Sequence, residues 1–222
     1  MSAPPRQFLA SKWHTRQRWS VLGLAIAGAA LFALAFLQPW WNFTLFAPQY
    51  PKGLKLVISL TGVTGDVSEI NIINHYIGMG HLDDAATFER AWGGWMVGAL
   101  AVTVVVAALA VGKRLNWVAT IAALGFPVGF CLDTMYWLYH FGHDLDPKAP
   151  IHLAAFTPTL FGEGKVGQFV TIATPGVGFW LAVAGVVLVG AAAAVRQRVC
   201  RACPSRNECH TLCAHGFVGV PR

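Results

Sequence analysis

Ser20-Val-Leu-Gly-Leu-Ala-Ile-Ala-Gly-Ala-Ala-Leu-Phe-Ala-Leu-Ala-Phe-Leu37 carries no charge and, after Ser20, no polar side chain. A helix rises about 1.5 Å per residue, and about 20 apolar residues cover a hydrocarbon core of about 30 Å, so this run reads as a membrane span. It stops at Pro39 and the pair Trp40-Trp41, a bulky end placed where interfacial aromatics sit. A cleaved signal peptide has a shorter apolar core of about 7 to 15 residues and a small-residue cleavage site, so a retained span is expected.

Working outward, three further charge-free windows follow, Ala91 to Gly112, Leu115 to Leu132 and Val166 to Val195. The third span is expected to run on through Asp133 to about Tyr139. The fourth is expected to start near Ala173, because Pro175 suits the first turn of a helix. Trp92, Trp95, Trp117 and Trp137 fall near the proposed ends, like Trp40 and Trp41. The composition agrees: 55% of the 222 residues are hydrophobic and 12% charged, against about 25% charged in soluble domains. A soluble globular domain, a disordered chain and a coiled coil are thereby excluded. The expected fold is an all-α membrane protein of four transmembrane helices, with a small extracytoplasmic cap formed by two long loops. Its divisions are a tail at 1–18, a membrane domain at 19–195 with outer loops at 40–91 and 140–173, and a Cys-rich tail at 196–222.

Lys and Arg favour the cytoplasmic side of a span. Arg6, Lys12, Arg16 and Arg18, the Lys113-Arg114 link and the Arg-rich carboxyl tail give one side a net +10, while the two long loops, counting Asp133, give −4; the total is the formal +6. Both termini are therefore expected in the cytoplasm and the loops outside, in the periplasm if the membrane is a bacterial inner membrane. The positive charge reports insertion, not affinity for nucleic acid.

In the first outer loop, Ala47-Pro-Gln-Tyr-Pro51 is too rich in Pro for helix or central strand. Leu54-Lys-Leu-Val-Ile-Ser-Leu-Thr61 is β-branched enough for a short strand, closed by Gly62 and Gly65. Ile70, Ile73 and Ile77 recur at helical spacing after Asp66, a candidate N-cap, which predicts a short amphipathic helix. Its polar side carries Glu69, Asn71, Asn74 and His75, next to Met79 and His81. The second loop supplies His140, His143, Asp144 and Asp146 directly beyond span three, followed by His152, so five of the eight histidines are outside.

Gly65-Asp-Val-Ser-Glu-Ile-Asn-Ile-Ile-Asn-His-Tyr-Ile-Gly-Met79, preceded by Ala47-Pro-Gln-Tyr-Pro-Lys-Gly-Leu54, resembles the NosB-like family of bacterial four-span proteins. Gly142-His-Asp-Leu-Asp-Pro-Lys-Ala-Pro-Ile151, Phe156-Thr-Pro158 and Lys165-Val-Gly-Gln-Phe169 are similar to the second-loop pattern of that group. The likeness spans roughly residues 40–180 and leaves out the Cys-rich tail. Genes of this family accompany nitrous oxide reductase of the clade II type. The resemblance implies an accessory protein of a periplasmic copper enzyme, engaged in copper handling, docking or electron supply, and it brings no established catalytic residue with it.

The residues offer chemistry of their own. Imidazole suits copper and a thioether selects Cu(I), so His75, Met79 and His81, joined by His140, His143 and Asp144, form a candidate soft metal set. The same groups could instead hydrogen-bond loop backbone. Asp133 is an ionisable group at a span's edge, where charge is costly and suggests function. With His140 and the aromatic belt it could serve a membrane redox subunit that handles quinol, the enzymatic alternative; a purely structural partner subunit is a third. Bis-imidazole haem ligation would need His on two facing helices, and spans one, two and four have none. Phosphate-loop, zincin and serine-hydrolase motifs are missing. In the tail, Cys200-x2-Cys203-x5-Cys209-x3-Cys213 on a reducing side argues for zinc or an iron-sulfur cluster rather than disulfides, the alternative being a basic tail with incidental thiols. Cys131 reads as a packing residue.

Overall fold

The computed structural model describes residues 6–110 and 113–201. Among them, helices α1 (Arg6–Phe36), α3 (Thr87–Ala110), α4 (Lys113–His143) and α5 (Val177–Arg201) are long, and a short helix α2 (Val67–Ile77) lies between the first two. Each long helix holds a stretch apolar enough to cross a membrane: Trp19–Phe36, Thr87–Leu109, Asn116–His143 and Val177–Arg198. The chain is a multi-pass membrane protein by that measure.

The all-α expectation is corrected. Strands β1 (Trp41–Ala47), β2 (Tyr50–Ser59), β3 (Gly62–Gly65), β4 (Gly162–Val166) and β5 (Phe169–Pro175) form one antiparallel sheet of order β3-β2-β1-β5-β4. Two readings of local sequence hid it. Trp41-Asn-Phe-Thr-Leu-Phe-Ala47 continues the charge-free run of span one, yet its inward residues Trp41, Leu45 and Ala47 recur at the period of a strand. Pro175 closes β5 instead of opening a helix, so span four begins at Val177 and not near Ala173. The Pro-rich stretch marks the β1–β2 turn, with Ala47 paired to Tyr50 across it.

The chain divides into two compact units. The described part of the helical unit takes in residues 6–33, 97–110, 113–126 and 182–201. Its described interior is made of small residues, among them Ala25, Ala29, Ala107, Ala123, Ala182 and Ala192, around the buried Phe32, which meets Phe126 edge-on at 6.2 Å. A Cβ on Gly28 would come within 2.8 Å of Val189 and 3.2 Å of the Gly185 carbonyl, so the helix backbones there are in direct contact. Such approach is how helices associate in lipid, where there is no hydrophobic drive between them. Asn116, buried in this unit, donates to the Ala107 carbonyl at 3.0 Å.

The sheet unit takes in Leu34–Met96 and Pro127–Leu181. Pairing of β1 with β5, from Trp41 opposite Pro175 to Phe46 opposite Val170, joins the two long loops into one structure. Leu45, Leu54, Leu56 and Phe169 of the sheet bury against Ile70 and Ile77 of α2, the helix the isoleucine spacing predicts. Trp40 and Trp41 are buried against protein. Trp40 is wholly buried, donates its indole N–H to Ala35 O at 2.8 Å and packs on Phe130, and Trp41 donates to Leu160 O at 2.6 Å.

Candidate functional site

The described His, Met and Asp candidates lie in the sheet unit, where two positions collect them. The first is the segment after α2. Gly78 ends that helix in the left-handed conformation, φ 82°, and a Cβ there would come within 2.9 Å of the Asp146 backbone, so the position requires glycine. Gly78 O accepts from Asp146 N–H at 2.8 Å and Tyr76 O accepts from Ile151 N–H at 3.0 Å, which fastens the second loop to the end of α2.

That chain reversal separates the residues expected to share copper. His75 remains exposed on α2, edge-on to Tyr76 at 6.1 Å. Met79 turns into the apolar core, and His81 is exposed ahead of the short helical turn Leu82–Asp84. The polar side of α2 is used to hold its own loop: Asn71 accepts from Leu82 N–H at 2.9 Å and donates to Asp83 at 3.0 Å, while Asn74 donates to Gly80 O at 3.2 Å. Arg90 donates to the Asp83 and Ala85 carbonyls from the far side. Asp66, expected as the N-cap, makes no side-chain cap bond and instead accepts from Lys55 N–H at 2.8 Å.

The second position is the carboxyl-terminal end of α4. His140 Nε2 stands 3.9 Å from an Asp144 carboxylate oxygen, one turn on. His143 stacks on Tyr139 at 3.9 Å between ring centres, with Nδ1 at 2.9 Å from the Tyr139 carbonyl. A carbonyl oxygen only accepts, so the Nδ1 contact is a donated N–H and, in the neutral ring, the lone pair lies on Nε2. His140 is parallel to the Tyr136 ring, 6.0 Å away. His140, His143 and Asp144 are all exposed.

Two turns earlier on α4, half-buried Asp133 interacts with Glu89 of α3. The Trp137 indole N–H, buried, also interacts with the Asp133 carboxyl without completing an aligned hydrogen bond. Glu89 escaped the sequence reading. Its signal was present, since a carboxylate in the first turn of an apolar span deserves the same attention as Asp133.

Among the described residues, no three His, Cys, Asp or Glu side chains are gathered as a preformed metal set. Cys200 lies in the last turn of α5, and Cys203, Cys209 and Cys213 lie outside the described residues. No protein-family model and no curated protein matches the chain.

Proposed function

We propose that the protein is an integral membrane accessory component of a periplasmic copper enzyme of the nitrous oxide reductase type, and that the outer end of α4 handles copper for it. The reading draws on the likeness of residues 40–180 to the NosB-like group. In it the membrane is the bacterial inner membrane, both termini are cytoplasmic and the sheet unit faces the periplasm, as the distribution of Lys and Arg favours.

The observation that carries the copper role is the state of His143. An imidazole that donates one N–H to a backbone carbonyl and offers its other nitrogen outward has the arrangement found behind metal-ligating histidines. The 3.9 Å between His140 Nε2 and Asp144 is too long for a hydrogen bond but falls inside the about 4 Å that two ligands, each about 2 Å from one ion, can span. His140 and Asp144 would supply an exposed N/O pair that can receive and release an ion, with His143 on the same helix end as a further imidazole not gathered with them in advance, in keeping with delivery or docking. His75 and His81 are separate surface residues in this account, and Met79 is a packing residue.

The test is copper titration of the purified full chain carrying Ser at Cys200, Cys203, Cys209 and Cys213, so that tail thiols do not compete. His140→Ala/His143→Ala is expected to weaken Cu(I) or Cu(II) binding by at least about tenfold, the scale of losing a metal-site interaction. His75→Ala/His81→Ala is expected to leave it unchanged. Equal affinity in the wild-type background and the His140/His143 variant, or no binding in either, removes the copper role.

A further inference from the structure

On the inner side of the sheet, wholly within the sheet unit, is a partly open cavity of about 140 Å³. Its wall is almost entirely carbon, with Phe43, Met79, Phe156 and Phe169 contributing from the sheet and loops. Three polar groups in the wall are bonded to protein, Trp41 to Leu160 O, Asn74 to Gly80 O and Thr171 to Gly164 O, while the Thr134 hydroxyl and the Trp137 indole complete no such bond. The remaining wall comes from Thr134, Trp137, Leu138 and Phe141 of α4, which belong to the membrane-crossing stretch Asn116–His143.

We infer that this cavity binds the end of a bilayer lipid's acyl chain. An apolar cavity of about 150 Å³ stays dry when empty and takes a benzene ring, so one of this size holds a hydrocarbon segment of about six carbons. Empty, it leaves the Met79, Phe141 and Phe169 side chains without packing partners on one side, and a chain segment restores them. The accessible wall is almost entirely carbon, and its one buried indole N–H without a completed hydrogen bond, that of Trp137, is engaged with the Asp133 carboxyl, which favours hydrocarbon over a redox ring or headgroup. The source is the bilayer, because α4 brings wall residues that are part of its own span. The cavity is independent of the copper reading, since His140, His143 and Asp144 are not in its wall.

The experiment places the full chain in lipid nanodiscs whose phosphatidylcholine carries a photoreactive diazirine at the acyl terminus, followed by peptide mapping of the adducts. Adducts are expected on Met79 and Phe141 as well as on the exposed Leu132 and Tyr136. Val63→Phe or, in its place, Ala85→Leu fills the cavity and is expected to lower the Met79 and Phe141 adducts by at least about fourfold, the partition gain of one buried methylene, with Leu132 and Tyr136 unchanged. Adducts confined to Leu132 and Tyr136 in the wild type overturn the proposal whether or not either variant folds. So do undiminished Met79 and Phe141 adducts in a variant with wild-type elution and melting. Displacement of the adducts by a short-chain quinone would reassign the cavity to a ring and equally overturn it.

Discussion

In the helical unit a glycine lets two helices touch, Gly28 against Gly185 and Val189, whereas in the sheet unit the largest wholly buried side chain, Trp40, packs against Phe130 and Phe179. At the first contact a larger residue would hold the helices apart, and helices in lipid gain from backbone proximity and dispersion. At the second, Trp40 stands just ahead of β1 and fills the space beside Phe130 of α4 and Phe179 of α5 with aromatic surface. The largest effect expected from breaking this rule is at Trp40. Trp40→Ala removes a wholly buried indole and its bond to Ala35 O, and should cost about 3–5 kcal/mol, read as a large fall in Tm of the detergent-solubilised protein. Trp95→Ala, at a side chain 74% exposed, is the control and should barely move Tm. Equal falls at the two positions would deny the sheet unit its aromatic anchor.

The helical unit should fail in the opposite direction, through addition rather than removal. Gly28→Ala inserts a methyl where Val189 and the Gly185 carbonyl leave 2.8 and 3.2 Å, and overpacking of this kind costs about 1–3 kcal/mol. Gly98→Ala puts the same methyl into open space and should stay within about 0.5 kcal/mol of the wild type. Thermal unfolding of the two variants side by side checks it. If Gly98→Ala proves as damaging as Gly28→Ala, generic helix propensity and not the close contact governs the unit.

The same contrast explains what could be read without a structure. The spans were legible because absence of charge over about 20 residues is a local property, and α2 was legible because Ile70, Ile73 and Ile77 carry their period within one turn or two. The sheet was not. Trp41-Asn-Phe-Thr-Leu-Phe-Ala47 alternates, but it shares the apolar composition of the span before it, and its partner β5 lies more than a hundred residues away. Of the candidate site, His140, His143 and Asp144 read as loop residues beyond a span ending near Tyr139, whereas α4 runs on to His143 and so brings His140 and Asp144 together at i, i+4. His75 and Met79 have the same spacing, and Gly78 destroys it by turning left-handed between them. Glu89 meeting Asp133 depends on how α3 and α4 pack, which no local pattern encodes.

The smallest expected effect tests the junction between a locally readable element and one that is not. Asp66 stands where an N-cap belongs, before Val67 of α2, and Ser is as good as Asp in that role. Here its carboxylate instead reaches back to the Lys55 N–H at 2.8 Å, and its own N–H donates to Lys55 O at 2.8 Å, so strand β2 and the start of α2 are clamped by a reciprocal pair. Asp66→Ala should cost about 0.5–1.5 kcal/mol, toward the lower end because the bond is exposed. The rescue pattern identifies the role: Asn keeps an acceptor at the same reach and should recover most of the loss, while Ser, one atom shorter, caps helices well but does not reach the strand. Recovery by Ser as complete as by Asn would return Asp66 to ordinary helix capping, and hydrogen exchange at the Lys55 amide, faster in Asp66→Ala and Asp66→Ser but not in Asp66→Asn, would place it in the clamp.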